Sequence, residues 1–230
     1  MKAVRCLKDS ENLSLDTLLY RVFTYLYNTF GPQHWWPGET PLEVIVGAIL
    51  TQNTNWRNVE KAIYNLKANN MLSVEGILEN KEVLKELIKP AGYYNIKAVR
   101  LINVMEKIKG YNSVEEFLRL PMEKLREELL KIKGIGPETA DSIVLYAGNY
   151  PVFVVDSYTR RIFSRLGIIE GDEVYDEIQR TVMENLPREV SIYNEFHALL
   201  VELGKRNCKK LPIHNGCPLY SLCKEVSNER

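Results

Sequence analysis

Apolar residues recur three and four positions apart along almost the whole chain, the spacing that lines one face of an α-helix. The first such run, "LDTLLYRVFTYLYNTF" (15–30), stops at Gly31-Pro32, a helix terminator. "PLEVIVGAILTQNT" (41–54) opens on a proline suited to a first turn and reads as a buried helix. The same periodicity predicts helices over 55–69, 73–80, 81–89, 95–110, 113–132, 137–148, 156–167, 174–186 and 191–208. Strand-like character is confined to "YPVFVVD" (150–156), too isolated to found a sheet and read as an extended linker. The expected fold class is all-α, with a boundary near residue 150.

At 230 residues the chain can hold one large domain or two modest ones. It is 45% hydrophobic and 26% charged, as soluble globular proteins are. The longest apolar runs, such as "VIVGAIL" (44–50), fall short of the roughly 18 residues of a membrane span. "MKAVRCLKDSENLS" at the start lacks the apolar stretch of a secretory signal, which points to the cytoplasm. A formal net charge of zero argues against indiscriminate nucleic-acid binding, yet "KRNCKK" (205–210) and "TRRIFSR" (159–165) are locally basic. Of the four cysteines, Cys208, Cys217 and Cys223 crowd the C-terminal end and Cys6 lies near the start. Clustered cysteines in a cytosolic chain are more often metal ligands than disulfides.

The most informative stretch is "KGIGPETADSIV" (133–144). A helix ending near Ile132, a tight Gly-Ile-Gly turn and a new helix from Pro137 describe a helix-hairpin-helix. Glycines permit the sharp turn and leave backbone N–H groups from Gly134 to Glu138 bare at the positive end of the next helix, a phosphate site that cannot read sequence. An ordinary αα-hairpin has the same turn. Some twenty residues on, "YPVFVVDSYTRRIFSRLG" places one acid, Asp156, at an apolar edge where a helix opens. Asp156 suits an N-cap; it is equally well placed to face a sugar ring.

"KGIGPETA" and "PVFVVDSYTRRI" resemble the helix-hairpin-helix/Gly-Pro-Asp superfamily of DNA glycosylases, and the likeness extends over most of residues 30–223. The resemblance implies two helical lobes with the hairpin at a DNA-binding cleft between them. One, 41–149, ends in the hairpin (about 125–148); the other joins 1–40 to 150–230 and carries the catalytic acid and a Cys-rich loop. In that family the aspartate matching Asp156 is essential for cleaving the N-glycosidic bond. Base departure leaves an oxocarbenium-like sugar, which a fixed carboxylate stabilises while orienting or deprotonating water. Bifunctional members such as endonuclease III carry a Schiff-base lysine in the hairpin's second helix. Glu138 stands at that position, so the resemblance implies a monofunctional enzyme with water as nucleophile. Lys131 and Lys133 lie across the turn and read as phosphate contacts or solvated side chains. The resemblance further implies a monovalent cation at the hairpin when DNA binds.

"WWPGETPLEVIVGAILTQNTNW" (35–56) and "IKPAGYYNIKAVRL" (88–101) are closest to the 3-methyladenine glycosylases of that descent. Gln52 matches the side chain that fills the gap left by an extruded base, although a solvated glutamine at a helix end reads the same way. Trp35, Trp36 and Trp56, with Pro37 alongside, match the aromatics that receive the base; a tryptophan pair is also ordinary core material. N3- or N7-alkylated purines are cationic and already good leaving groups, and an electron-rich aromatic slot prefers them. The implied substrate is damaged duplex DNA carrying 3-methyladenine-type lesions, with the enzyme a nucleoid-associated cytoplasmic monomer.

The endonuclease III branch holds a [4Fe–4S] cluster on C-x6-C-x2-C-x5-C. Here "CKKLPIHNGCPLYSLC" reads C-x8-C-x5-C, with His214 three positions before Cys217, an x2 spacing where a cysteine is expected. His214 or Cys6 could supply the fourth ligand, or the cluster is lost. Two rival functions are a bifunctional lyase acting on oxidised pyrimidines and a non-catalytic clamp. A clamp has no use for an acid such as Asp156 facing anionic DNA.

Overall fold

The computed structural model describes residues 14–224, and its regular structure is all helical, with no β-strand among them. By contact the chain divides into two units. One comprises His34–Asp156 with Arg188–Ala198; the other comprises the segments up to Gln33, Ser157–Pro187 and those from Leu199 on. Compared with the expected lobes, 34–40, 150–156 and 188–198 join the hairpin unit, so Asp156 shares a unit with the hairpin. The physical reason is burial: Val152, Phe153, Val154 and Val155 of the irregular 150–156 linker are all core residues.

The hairpin unit is built on α2 (Pro41–Leu50), whose residues from Glu43 to Leu50 are all buried. Pro41 occupies its first turn, and Thr40 caps it by accepting the Glu43 amide at 3.2 Å. Around it pack α3 (Trp56–Ala68), α6 (Tyr94–Lys109), α7 (Val114–Leu118) and α9 (Pro137–Ser142). Two short helices, α4 (Val74–Glu79) and α5 (Lys81–Leu87), lie against α6. The single helix expected over 113–132 is two, α7 and α8 (Met122–Leu130). The break falls at Leu120-Pro121, where the proline ring excludes helical backbone from the residue before it.

The second helix of the hairpin also departs from the expected 137–148. After Ser142 it widens into a π-helical turn over Ile143–Ala147, with the Gly148 amide reaching back to the Ile143 carbonyl at 2.9 Å. Arg126 of α8 holds Asp141 of α9 through two bonds, Nε to Oδ1 at 2.7 Å and Nη2 to Oδ2 at 3.2 Å, and Asp141 is fully buried. This pair joins the hairpin's two helices.

In the other unit α1 (Leu15–Phe30) packs on α11 (Tyr175–Asn185). It also contains α10 (Ser157–Leu166) and the end of α12 (Val190–Arg206), whose residues to Ala198 belong to the hairpin unit. Among the described residues no helix is long and apolar enough to cross a membrane.

Candidate active site

The turn between α8 and α9 has the predicted form. Gly134 adopts φ 97°, a left-handed conformation that favours glycine, and a Cβ there would meet Arg100 Cγ at 2.6 Å. The Ile135 amide is not bare, because it donates to the Ile132 carbonyl at 3.0 Å, and the Ile135 side chain is buried. Pro137 has no N–H, so Gly134 and Gly136 offer the open amides of the turn. Glu138 sits exposed in the first turn of α9. Lys133 is exposed, whereas Lys131 pairs with Glu127 and with Glu128 at 2.9 Å. Lys107 and Lys124 also reach Glu128, and these lysine contacts hold its carboxyl well below the usual range.

Gln52 follows α2 in a tight turn, and both ends of its carboxamide are engaged. Its Oε1 accepts from Arg100 Nη1, and its Nε2 donates to Thr139 Oγ1 of the hairpin at 2.8 Å. The glutamine is therefore no solvated helix end; it is held between α6 and α9. One turn before Arg100, Lys97 is almost fully buried, with Nζ donating to the carbonyls of Leu50 at 2.8 Å and Ala91 at 2.7 Å. Burial, with the Arg100 charge nearby, pushes its amine down to about 8.

The three tryptophans form one aromatic cluster. Ring centroids lie 5.5 Å apart for Trp35 and Trp36, 5.9 Å for Trp35 and Trp56, and 5.3 Å for Trp36 and Trp56. All three are half-buried and Pro37 is exposed on the same loop. Gly47 on α2 leaves them room: a Cβ there would press on Trp36 Nε1 at 3.2 Å and Trp56 Cη2 at 3.4 Å. Trp56 Nε1 is fixed by Glu60 at 2.9 Å.

A fourth ring, Tyr146, contacts Trp36 with centroids 5.0 Å apart. Its hydroxyl lies 2.5 Å from His197 Nδ1, and His197 Nε2 lies 3.5 Å from Asp156 Oδ2. The last separation exceeds a good hydrogen bond, and Nε2 makes none. Burial, then the charges of Asp156 and Glu195, push the Tyr146 phenol well above its usual value, so it stays protonated. Asp156 thus closes a chain running Trp36, Tyr146, His197, Asp156. Tyr146, His197, Arg100 and Thr139 were not foreseen. A histidine flanked by Phe196 and Ala198 within a helix signals burial, but nothing local signals its partners.

The cysteines lie in the other unit. Burial, and to a smaller extent the neighbouring Cys208 and Cys223, push the Cys217 thiol up. Cys208 Sγ accepts from Arg165 at 3.2 Å, and the His214 ring stands edge-on to Tyr220. Among the described residues no three His, Cys, Asp or Glu side chains converge closely enough to hold a metal ion, and Cys6 lies outside them. The arginines of the basic stretches are also engaged. Arg160 donates to Glu173 O at 2.8 Å, Arg161 to Cys208 O at 2.8 Å, and Arg165 to Lys209 O at 2.6 Å and Lys210 O at 3.0 Å. Arg206 pairs with Glu202 at 2.5 Å.

A family model described as HhH-GPD superfamily base excision DNA repair protein matches residues 46–188, a span that includes the hairpin and Asp156. The chain belongs to the HhH-GPD superfamily. A Methanocaldococcus jannaschii protein named as a candidate DNA repair glycosylase is 49% identical over 210 residues, covering 90% of this chain and 96% of that protein. Endonuclease III of Thermotoga maritima is 31% identical over 186 residues, covering 80% of this chain and 83% of that protein. Among solved structures, H. pylori 3-methyladenine DNA glycosylase bound to 1,N6-ethenoadenine aligns with TM-score 0.72 and 33% identity, covering 84% of this chain and 98% of that chain. An endonuclease III–DNA complex aligns with TM-score 0.80 at 23% identity, over 95% of this chain and 99% of that chain, and shows the same fold. At the level of the superfamily, this HhH-GPD protein is a DNA repair glycosylase.

Proposed function

We propose that this chain is a monofunctional N-glycosylase that extrudes alkylated, 3-methyladenine-type purines from duplex DNA and releases them with water. The observation that carries the reading is the tryptophan cluster that continues through Tyr146 and His197 toward Asp156; Glu138, at the position that the resemblance gives to the lyase lysine, supports it. Phosphates rest on the Gly134 and Gly136 amides, with Lys133 beside them and a monovalent cation at the turn. Glu138, at the start of α9, supplies no amine. Gln52 leaves Arg100 and Thr139 to fill the vacated stack, and the base lies among Trp35, Trp36 and Trp56. Stacking and cation–π attraction favour a cationic purine by about 0.5–2 kcal/mol. As the N-glycosidic bond breaks, its electron pair passes to the purine and cancels the positive charge. Asp156 stabilises the sugar cation and takes or directs the proton of the water that adds at C1′.

The test uses single-lesion duplexes containing 7-methylguanine, thymine glycol, uracil, or adenine opposite 8-oxoguanine, each split between alkali and no alkali. Strand breaks only after alkali, on the alkylpurine duplex, are expected. Breaks without alkali on thymine glycol would make the enzyme an endonuclease III-type lyase, and binding with no release would make it a clamp. For the C-terminal loop the proposal is a [4Fe–4S] cluster on Cys208, Cys217 and Cys223, with His214 or Cys6 as fourth ligand. A preparation that stays colourless after anaerobic reconstitution with iron and sulfide would withdraw it.

A further inference from the structure

His197 Nε2 is buried, makes no hydrogen bond, and lies 3.5 Å from the carboxylate that the proposed reaction depends on. Unsatisfied buried donors or acceptors are rare enough in folded proteins that each calls for a cause. The other ring nitrogen supplies one. The Tyr146 hydroxyl lies 2.5 Å from Nδ1, and as a protonated phenol it donates to that nitrogen when the imidazole is neutral. The ring proton is then on Nε2, the nitrogen that lies 3.5 Å from Asp156 Oδ2. Around the pair, Phe153 stands edge-on to the imidazole at 6.5 Å, and Glu195, one position before Phe196 on α12, is close enough for its charge to act on Tyr146.

We propose that His197, its tautomer set by Tyr146, is a positioning residue that orients Asp156 for base release. The proposal rests on the assignment of base release to Asp156. A neutral donor is suited to this task. An arginine or lysine at 3 Å would orient the carboxylate but also cancel the negative charge that the sugar cation needs. An imidazole N–H fixes one carboxylate oxygen and leaves the anionic charge in place for the other. A small rotation of the Asp156 carboxyl, when DNA enters, closes the 3.5 Å gap to hydrogen-bond length. Because the Tyr146 ring also contacts Trp36, the residues that receive the base and the residues that orient the acid share one wall.

The experiment measures single-turnover release of 7-methylguanine and, separately, the Kd for a duplex carrying a tetrahydrofuran abasic analogue. His197→Ala is expected to slow release ~10- to 100-fold, the scale of a misplaced catalytic group, with Kd changed by less than about 2-fold. His197→Gln carries an N–H donor near the position of Nε2 and is expected to recover most of the rate. His197→Asn, similar in chemistry but too short, is expected not to. Tyr146→Phe frees the tautomer and is expected to fall between wild type and His197→Ala. Equal rates for the Gln and Asn variants would overturn the proposal even if the Ala variant folds poorly, since only the donor's reach separates them. A parallel loss of Kd and rate in all His197 variants would assign the residue to packing and also overturn it. Asp156→Asn separates the two levels. An inactive Asp156→Asn with a normal His197→Ala sinks only this inference; an active Asp156→Asn sinks the reaction assignment and this inference together.

Discussion

The hairpin between α8 and α9 and the arginine helix α10 both present hydrogen-bond donors, but to different acceptors. On α10 the guanidinium groups of Arg160, Arg161 and Arg165 point at backbone carbonyls of Glu173, Cys208, Lys209 and Lys210. Arg161 and Arg165 thereby hold the cysteine-bearing loop, and Arg160 the turn at Glu173. At the hairpin the donors are the Gly134 and Gly136 amides, with the exposed Lys133 beside them. A basic stretch of sequence is therefore no measure of charge available to a partner, whereas two glycines and a proline can make a polar site with little charge. The hairpin is held from behind by ions instead: Arg126 on Asp141 across its two helices, and three lysines on Glu128.

The sharpest way to break this comparison is Arg126→Met. It leaves the fully buried Asp141 carboxylate without its guanidinium partner and is expected to lower unfolding free energy by about 3–5 kcal/mol, read from chemical denaturation. If the loss is under about 1 kcal/mol, the pair does not hold the hairpin. On the arginine side, Arg165→Met should cost about 1–3 kcal/mol, because the Lys209 and Lys210 carbonyls lose their charged donor. Its dependence of DNA affinity on salt should match wild type; a shallower slope would place Arg165 on the DNA.

Lys97 gives a pH test of the α2–α6 contact behind Gln52. Its amine is depressed to about 8 from an ordinary 10.5, so between those values the unfolded chain keeps a proton that the folded chain has lost. Stability from this group therefore rises with pH across that window, and below it the burial cost is fully present. The neutral amine still has two N–H groups for the Leu50 and Ala91 carbonyls. The gap in unfolding free energy between wild type and Lys97→Met should widen in favour of wild type by about 1–3 kcal/mol from pH 7.5 to 10. A gap independent of pH would mean that Lys97 keeps its ordinary basicity. The smallest expected effect is Lys133→Ala, which should weaken duplex binding a few-fold and reduce the slope of log affinity against log salt by about 0.9. An unchanged slope would remove Lys133 from the phosphate contacts.

Read along the chain, the hairpin was legible because its determinants are neighbours. Gly134, Gly136 and Pro137 dictate a turn and a helix start within four residues, and Glu138 is either a lysine or it is not. The helix breaks at Pro121 and at the π-helical turn over Ile143–Ala147 were harder. The first was stated by a proline inside an otherwise continuous period; the second has no such local marker, and the turn packs against α2. The tryptophans could be named from a resemblance, yet only tertiary packing, with Gly47 against Trp36 and Trp56 and Tyr146 against Trp36, brings the rings together.

What the sequence by itself determined is the all-helical class, the glycine hairpin, the single acid at the start of α10 and the glutamate at position 138. Each follows from chemistry carried by a few consecutive residues. The tertiary structure alone decided what surrounds that acid and which cations are already engaged. Tyr146 and His197 are 51 positions apart, and Gln52 and Thr139 are 87 apart. Such pairs form only when helices far apart in the chain pack together, and the burial that drives that packing does not specify in advance which polar side chains it will bring face to face.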